Sequence, residues 1–101
     1  TIADYVAPPP TADQVRAEAR RRMRVMFSAR DDGHLDILIA NASREAIRLL
    51  RIKADRAWTT PEATRAAELE AADAAIEAIR AASNAMEPNP PADFADDSRW
   101  P

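Results

Sequence analysis

At 101 residues and a net charge of −3, the chain has room for one domain and no excess of positive charge to hold nucleic acid or a membrane across its whole surface. It contains no cysteine, which excludes a disulfide framework, a thiolate nucleophile and zinc–cysteine sites, and allows an intracellular setting. The hydrophobic fraction of 47% is supplied largely by alanine, which buries little area, so the core should be thin and helped by a protein partner or a homo-oligomer.

No apolar run approaches the roughly 20 residues of a membrane span, and no signal-like segment opens the chain. The first residue is Thr1 rather than methionine, which points to processing or to a C-terminal piece of a longer polypeptide. A single glycine, Gly33, leaves sheets without the turn chemistry they need, while Ala, Arg, Glu and Leu favour helices. The expected fold is all-α: an antiparallel hairpin of two long helices, a shorter N-terminal helix, and an extended Pro-rich C-terminal arm.

Residues 1–10, TIADYVAPPP, read as an extended lead-in or linker, because three prolines in a row impose polyproline II and remove backbone donors. Tyr5 and Val6 belong to the end of that linker. The helical domain spans 11–87. Its first helix begins at Thr11, with Gln14 three residues on completing a capping box. Val15, Ala19, Met23, Met26 and Phe27 recur at helical spacing as the apolar stripe. After it, SARDDG breaks the pattern, with Gly33 as the residue free to take positive φ.

The second helix is expected from about Leu35 to Trp58. Leu35, Leu38, Ile39, Ala42, Ala46, Leu49 and Leu50 form one apolar line, and Ile37, Ile47 and Ile52 a second. Two lines predict the most buried helix of the molecule, touching neighbours on two sides. A third helix starts at Thr59 as cap, with Pro61 in the first turn and Glu62 closing a capping box. It continues to Met86 or Glu87 along a heptad seam of Leu69, Ala72, Ile76, Ile79, Ser83 and Met86. Its short connection to the second helix predicts the hairpin, with the first helix across or beside it. Pro88 ends it.

Three clusters carry candidate chemistry. Arg16, Arg20, Arg21, Arg22 and Arg24 load one side of the first helix; Arg16, Arg20, Arg21 and Arg24 form a candidate basic patch, weighed against a solvated face laced with salt bridges. The acidic balance of the chain argues for the solvated face and against nucleic acid. Asp31, Asp32, His34 and Asp36 do not have the alternating spacing of a calcium loop, and helix capping explains them more simply, so no metal is expected. With one histidine, no phosphate loop and no nucleophile elbow, neither catalysis nor a cofactor is expected, and a thin hairpin offers no obvious cavity for either.

The arm, residues 88–101, holds the remaining signal. Phe94 and Trp100 are costly to leave in water, so both rings should anchor the arm, either folded back on a helix face or inserted into a partner. Asp93, Asp96 and Asp97 between them would face solvent or meet the arginines of the first helix.

Taken together, TADQVRAEARRRM, DRAWT and AIRAASNAMEPNPPADFADDSRWP resemble the small tail-fibre assembly chaperone-like proteins of tailed phages and prophages, over residues 11–101. The chain departs from them in lacking an Asp-Trp pair after the first helix and in its long second helix. The resemblance implies a non-catalytic protein that works through protein–protein contacts on a tail-fibre polypeptide. The setting it implies is the cytoplasm of a bacterial host, or the virion for a structural component that oligomerises through its helices. The residues it carries over as partner-binding are Arg80, Pro91, Phe94, Trp100 and Pro101.

Overall fold

A computed structural model describes residues 7–101; Tyr5 and Val6 of the lead-in lie outside them. The described chain folds into three α-helices, α1 (Ala12–Phe27), α2 (Asp32–Asp55) and α3 (Thr60–Met86), followed by a single 3-10 turn at Asp97–Arg99. The all-α expectation holds.

Both capping boxes form. The Thr11 hydroxyl accepts from the Gln14 N–H while the Gln14 side chain accepts from the Thr11 N–H, and Thr59 and Glu62 repeat the arrangement at the start of α3. Asp31 caps α2 by accepting from the His34 N–H at 2.7 Å, so the acidic cluster does serve a helix start.

The turn between α1 and α2 corrects one expectation. Ser28, not Gly33, takes the left-handed conformation, with φ 54°, and Gly33 sits inside the first turn of α2 with no positive φ. The Ser28 and Ala29 N–H groups then close the end of α1 by reaching back to its last carbonyls, including Arg24 at 2.8 Å. Glycine freedom is thus absent where it would help and present where alanine fits, since a Cβ on Gly33 would approach only the Asp31 carboxylate, at 3.4 Å. Ser28→Gly and Gly33→Ala should each raise stability by about 0.5–1 kcal/mol, read as a higher midpoint in urea unfolding with an unchanged slope.

Helix α2 also begins three residues earlier and ends three earlier than its pattern suggests, at Asp55 rather than Trp58. Arg56 leaves the helix in an extended conformation, and Trp58 turns back so that its Nε1 donates to the Leu49 carbonyl at 2.7 Å. The Lys53 ammonium lies 4.6 Å above the same ring. These contacts lock the hairpin bend, and Arg56 adds a two-nitrogen grip on the Glu62 carboxylate across it.

Glu62 gathers so much support that its carboxyl is pulled from the ordinary 4.5 to about 2, first by Arg56 and then by the Thr59 backbone. Glu18, Asp32, Glu45 and Asp96 are lowered as well, chiefly by hydrogen bonds from Arg21, Arg24, Arg65 and Ser98 respectively. A depressed carboxylate stabilises the fold above its unfolded value and stops doing so as pH falls through its folded one. Melting temperature should therefore hold above pH 5 and decline between pH 4.5 and 2, and Glu62→Gln should make that decline shallower.

The main core is one cluster: Val15, Ala19 and Met23 of α1 pack on Leu35 of α2, on Ile76, Ile79 and Met86 of α3, and on Trp100, with buried Leu49 and Leu69 outside it. Every member of the α3 seam is buried or half-buried, as its heptad spacing requires. Met26 is the exception on α1; it lies exposed beside Val25. The expectation for α2 fails more broadly. Only Leu35 and Leu49 are fully buried, while Ile37, Ile47 and Leu50 are 58%, 50% and 61% exposed.

Helix lengths explain this. At 1.5 Å per residue, the 16 residues of α1 reach about 24 Å, whereas the 27 residues of α3 reach about 40 Å. Helix α1 packs on the C-terminal half of α3, where Arg16 pairs with Glu87 at 2.7 Å, and on the first turns of α2, where Arg20 pairs with Asp36 at 2.7 Å. Beyond Phe27 the hairpin continues as two helices alone. There the contacts are few: Leu49 and Leu69, the bend at Trp58, and an Arg65–Glu45 pair at 2.7 Å.

Candidate functional site

The C-terminal arm is folded, not extended. After Pro88 and Pro90 a turn runs from Pro91 to Phe94, closed by the Phe94 N–H on the Pro91 carbonyl at 3.1 Å, and a second runs from Asp93 to Asp96. Asp96 caps the 3-10 turn by accepting from the Ser98 N–H, and Arg99 reaches back to Asp93 at 2.8 Å. This fold carries Trp100 into the core, where it is 7% exposed, with its Nε1 donating to the Phe94 carbonyl at 2.7 Å. Of the two roles open to the arm, packing on its own domain is the one observed. Trp100 is committed to the core, Phe94 packs half-buried against it, and Pro101 stays exposed beside them.

Arg22 holds the arm down. Its guanidinium carbon lies 5.2 Å from the centre of the Trp100 ring, and its Nη2 donates to the Asp97 carboxylate at 2.8 Å and to the Ala95 carbonyl at 3.0 Å. Its Nε is buried 3.2 Å from Glu18, an ion pair without hydrogen-bond geometry. The run RRRMR thus hides one arginine with a structural task among others that face solvent.

Those others are paired. Arg16 meets Asp13 and Glu87, Arg20 meets Asp32 and Asp36, Arg21 meets Glu18, and Arg24 meets Asp32. A phosphate would have to compete with a carboxylate already in place at each position. Arg80 is exposed and holds Glu77 loosely, at 3.4 Å. Of the five residues expected at a partner contact, Trp100 is buried, Pro91 and Phe94 are half-buried, and Arg80 and Pro101 are exposed.

A different feature is open to a partner. Between α2 and α3, beyond the reach of α1, lies a groove of about 670 Å³, where the thin hairpin had been expected to offer none. Phe27 bounds one end and Trp58 the other. Ile47 and Leu50 form the α2 wall, and Ala66 and Leu69 belong to the α3 side. The charged groups along it are Lys53, Glu70 and Asp73. With an apolar lining and charges only at its rim, it is suited to receiving another apolar helix face.

Two signals for this surface stand in the sequence. Leu50 of the first apolar line of α2 and Ile47 of the second both stay exposed beside the groove, so one neighbouring helix does not cover both lines. Arg44, Arg48 and Arg51, spaced four and three apart, form a stripe on α2 with no carboxylate in salt-bridge range among the described residues. Among the described residues no cluster of metal-ligating groups occurs, and no helix is long and apolar enough to cross a membrane. His34 is occupied locally, its Nδ1 accepting from the Arg30 N–H at 3.0 Å.

No protein-family model matches this chain, and no curated protein sequence and no solved structure shows significant similarity to it.

Proposed function

We propose that this chain is a non-catalytic helical protein-interaction module that receives an apolar helix face in the groove between α2 and α3. The observation that carries this reading is the exposure of Ile47 and Leu50, 50% and 61%, along an open groove of about 670 Å³. Large aliphatic side chains lining one continuous strip mark contact surfaces, whereas scattered single ones do not. Phe27 and Trp58 bound the strip at its two ends.

The biological setting in this reading is tail-fibre assembly in a phage or prophage, and it rests on the resemblance of the chain's segments to tail-assembly chaperone-like proteins. A tail-fibre polypeptide from the same genome is then the partner. Co-expression and co-purification with that polypeptide test the proposal. Capture should be lost with Leu50→Glu and kept with Arg21→Gln, which alters a pair with Glu18 within α1, away from the groove. Capture that survives Leu50→Glu would remove the groove from the mechanism.

A second reading, a structural component that self-associates, is favoured by the distribution of size and charge along the same groove.

A further inference from the structure

The groove has two unlike walls. Of the exposed apolar side chains along it, α2 supplies the bulky Ile47 and Leu50 and α3 the small Ala63 and Ala67, while the larger Leu69 and Ile76 of α3 are buried. The charges differ in the same sense. Arg44 and Arg51 stand three before and four after Ile47 on its outer flank, without carboxylates in range among the described residues. Glu70 and Asp73 line the α3 side and likewise have no cation in range among the described residues.

A surface that is bulky and basic on one wall, small and acidic on the other, complements itself after a half-turn. A two-fold axis parallel to the helices places α2 of one copy over α3 of the other. Isoleucine and leucine then meet alanine, arginine meets carboxylate, and every neighbouring pair of helices is antiparallel. The alternative axis, perpendicular to the helices, places α2 on α2 and sets the arginines against each other. Only the first operation satisfies both size and charge.

We propose that the occupant of the groove is a second copy of this chain, forming a two-fold dimer in which the hairpin tips build a four-helix bundle. The inference rests on the reading of the groove as a protein-docking surface. The strip runs from Ile39 to Lys53 on α2 and from Ala63 to Ile76 on α3. Covering two helices over that length on both copies removes on the order of 1,000 Å² in total, the lower bound for a specific interface. An interface at this lower bound belongs with weak, reversible association. The geometry of the tip agrees: where α1 ends, the hairpin lacks the third layer that completes its core lower down, and the second copy provides it.

Sedimentation equilibrium of the full chain, from low micromolar to near-millimolar concentration, tests this. The wild type should pass from monomer to dimer. Leu50→Glu should weaken dimerisation by at least about tenfold. So should the pair Arg44→Glu with Arg51→Glu, and the pair Glu70→Lys with Asp73→Lys. Mixed one to one, the two charge-reversed chains should recover wild-type association, because each then meets the opposite sign on both walls. All the altered side chains lie on the surface, and far-UV circular dichroism confirms that the variants remain folded. A wild type that stays monomeric throughout overturns the proposal, and so does a dimer indifferent to Leu50→Glu or a mixture that recovers nothing. A monomer whose capture of a fibre polypeptide still depends on Leu50 would remove the second copy while leaving the groove as a docking surface.

Discussion

Removing residues 92–101 should lower the unfolding free energy by about 4 kcal/mol, the order expected for one buried tryptophan and one half-buried phenylalanine. In a domain of this length that loss corresponds to a fall of roughly 20 °C in melting temperature. Trp100→Ala alone should account for most of it, because its ring is 7% exposed and faces Val15, Ala19 and Met23 in one cluster. Phe94→Ala should cost less, since Phe94 sits at the edge of that cluster. Fluorescence offers an independent check. In a Trp58→Phe background, Trp100 should emit at the blue end of the tryptophan range and shift red on unfolding. Water-like emission together with an unchanged melting point on truncation would show that the arm is not packed. The packing is plausible entropically because Pro88, Pro90 and Pro91 restrict the chain between α3 and the anchor, so less freedom is lost when the arm docks.

The seam of α3 should produce the second large effect. Ile76 is 6% exposed among Met23, Leu35 and Ile79, so Ile76→Asp buries an unpaired carboxylate and should cost 4 kcal/mol or more, on the order that unfolds a small domain. Ala78, two positions on, faces solvent, and Ala78→Asp should stay within about 0.5 kcal/mol. Thermal melts of the two variants compare positions on one helix with the same introduced side chain. Equal losses would mean that the seam lies elsewhere on α3.

Arg22 joins these two regions. Its removal leaves Asp97 and the Trp100 face without their cation, so the arm should loosen even though no apolar contact in the cluster is deleted. Neighbouring Arg21 has no such partner in the arm; it meets Glu18. The two arginines are adjacent in the chain and share Glu18, but only Arg22 also holds the arm.

Local signals decided most of the secondary structure. Thr11 with Gln14, and Thr59 with Pro61 and Glu62, specify helix starts through hydrogen bonds that lie within four residues, so they are legible without any fold. The α3 seam was legible for a related reason: its 3–4 spacing repeats for four turns and has one apolar face to bury. Trp100 and Phe94 announced an anchor through the cost of exposing their rings.

What only the tertiary structure decided is where two apolar lines on α2 would go. The pattern of Leu35, Ala42, Leu49 and Leu50 beside Ile37, Ile47 and Ile52 states that both flanks seek cover, but not how far the neighbouring helix reaches. Helix α1 stops about 16 Å short of the length of α3, so Leu35 and Leu49 are buried while Ile47 and Leu50 are left along a groove. The same holds at Ser28, where closing α1 within its chain reversal demanded positive φ whatever residue stood there, and Gly33 fell one turn too late to supply it. Composition and spacing determine which residues want burial; the relative lengths and placement of the helices determine which of them obtain it.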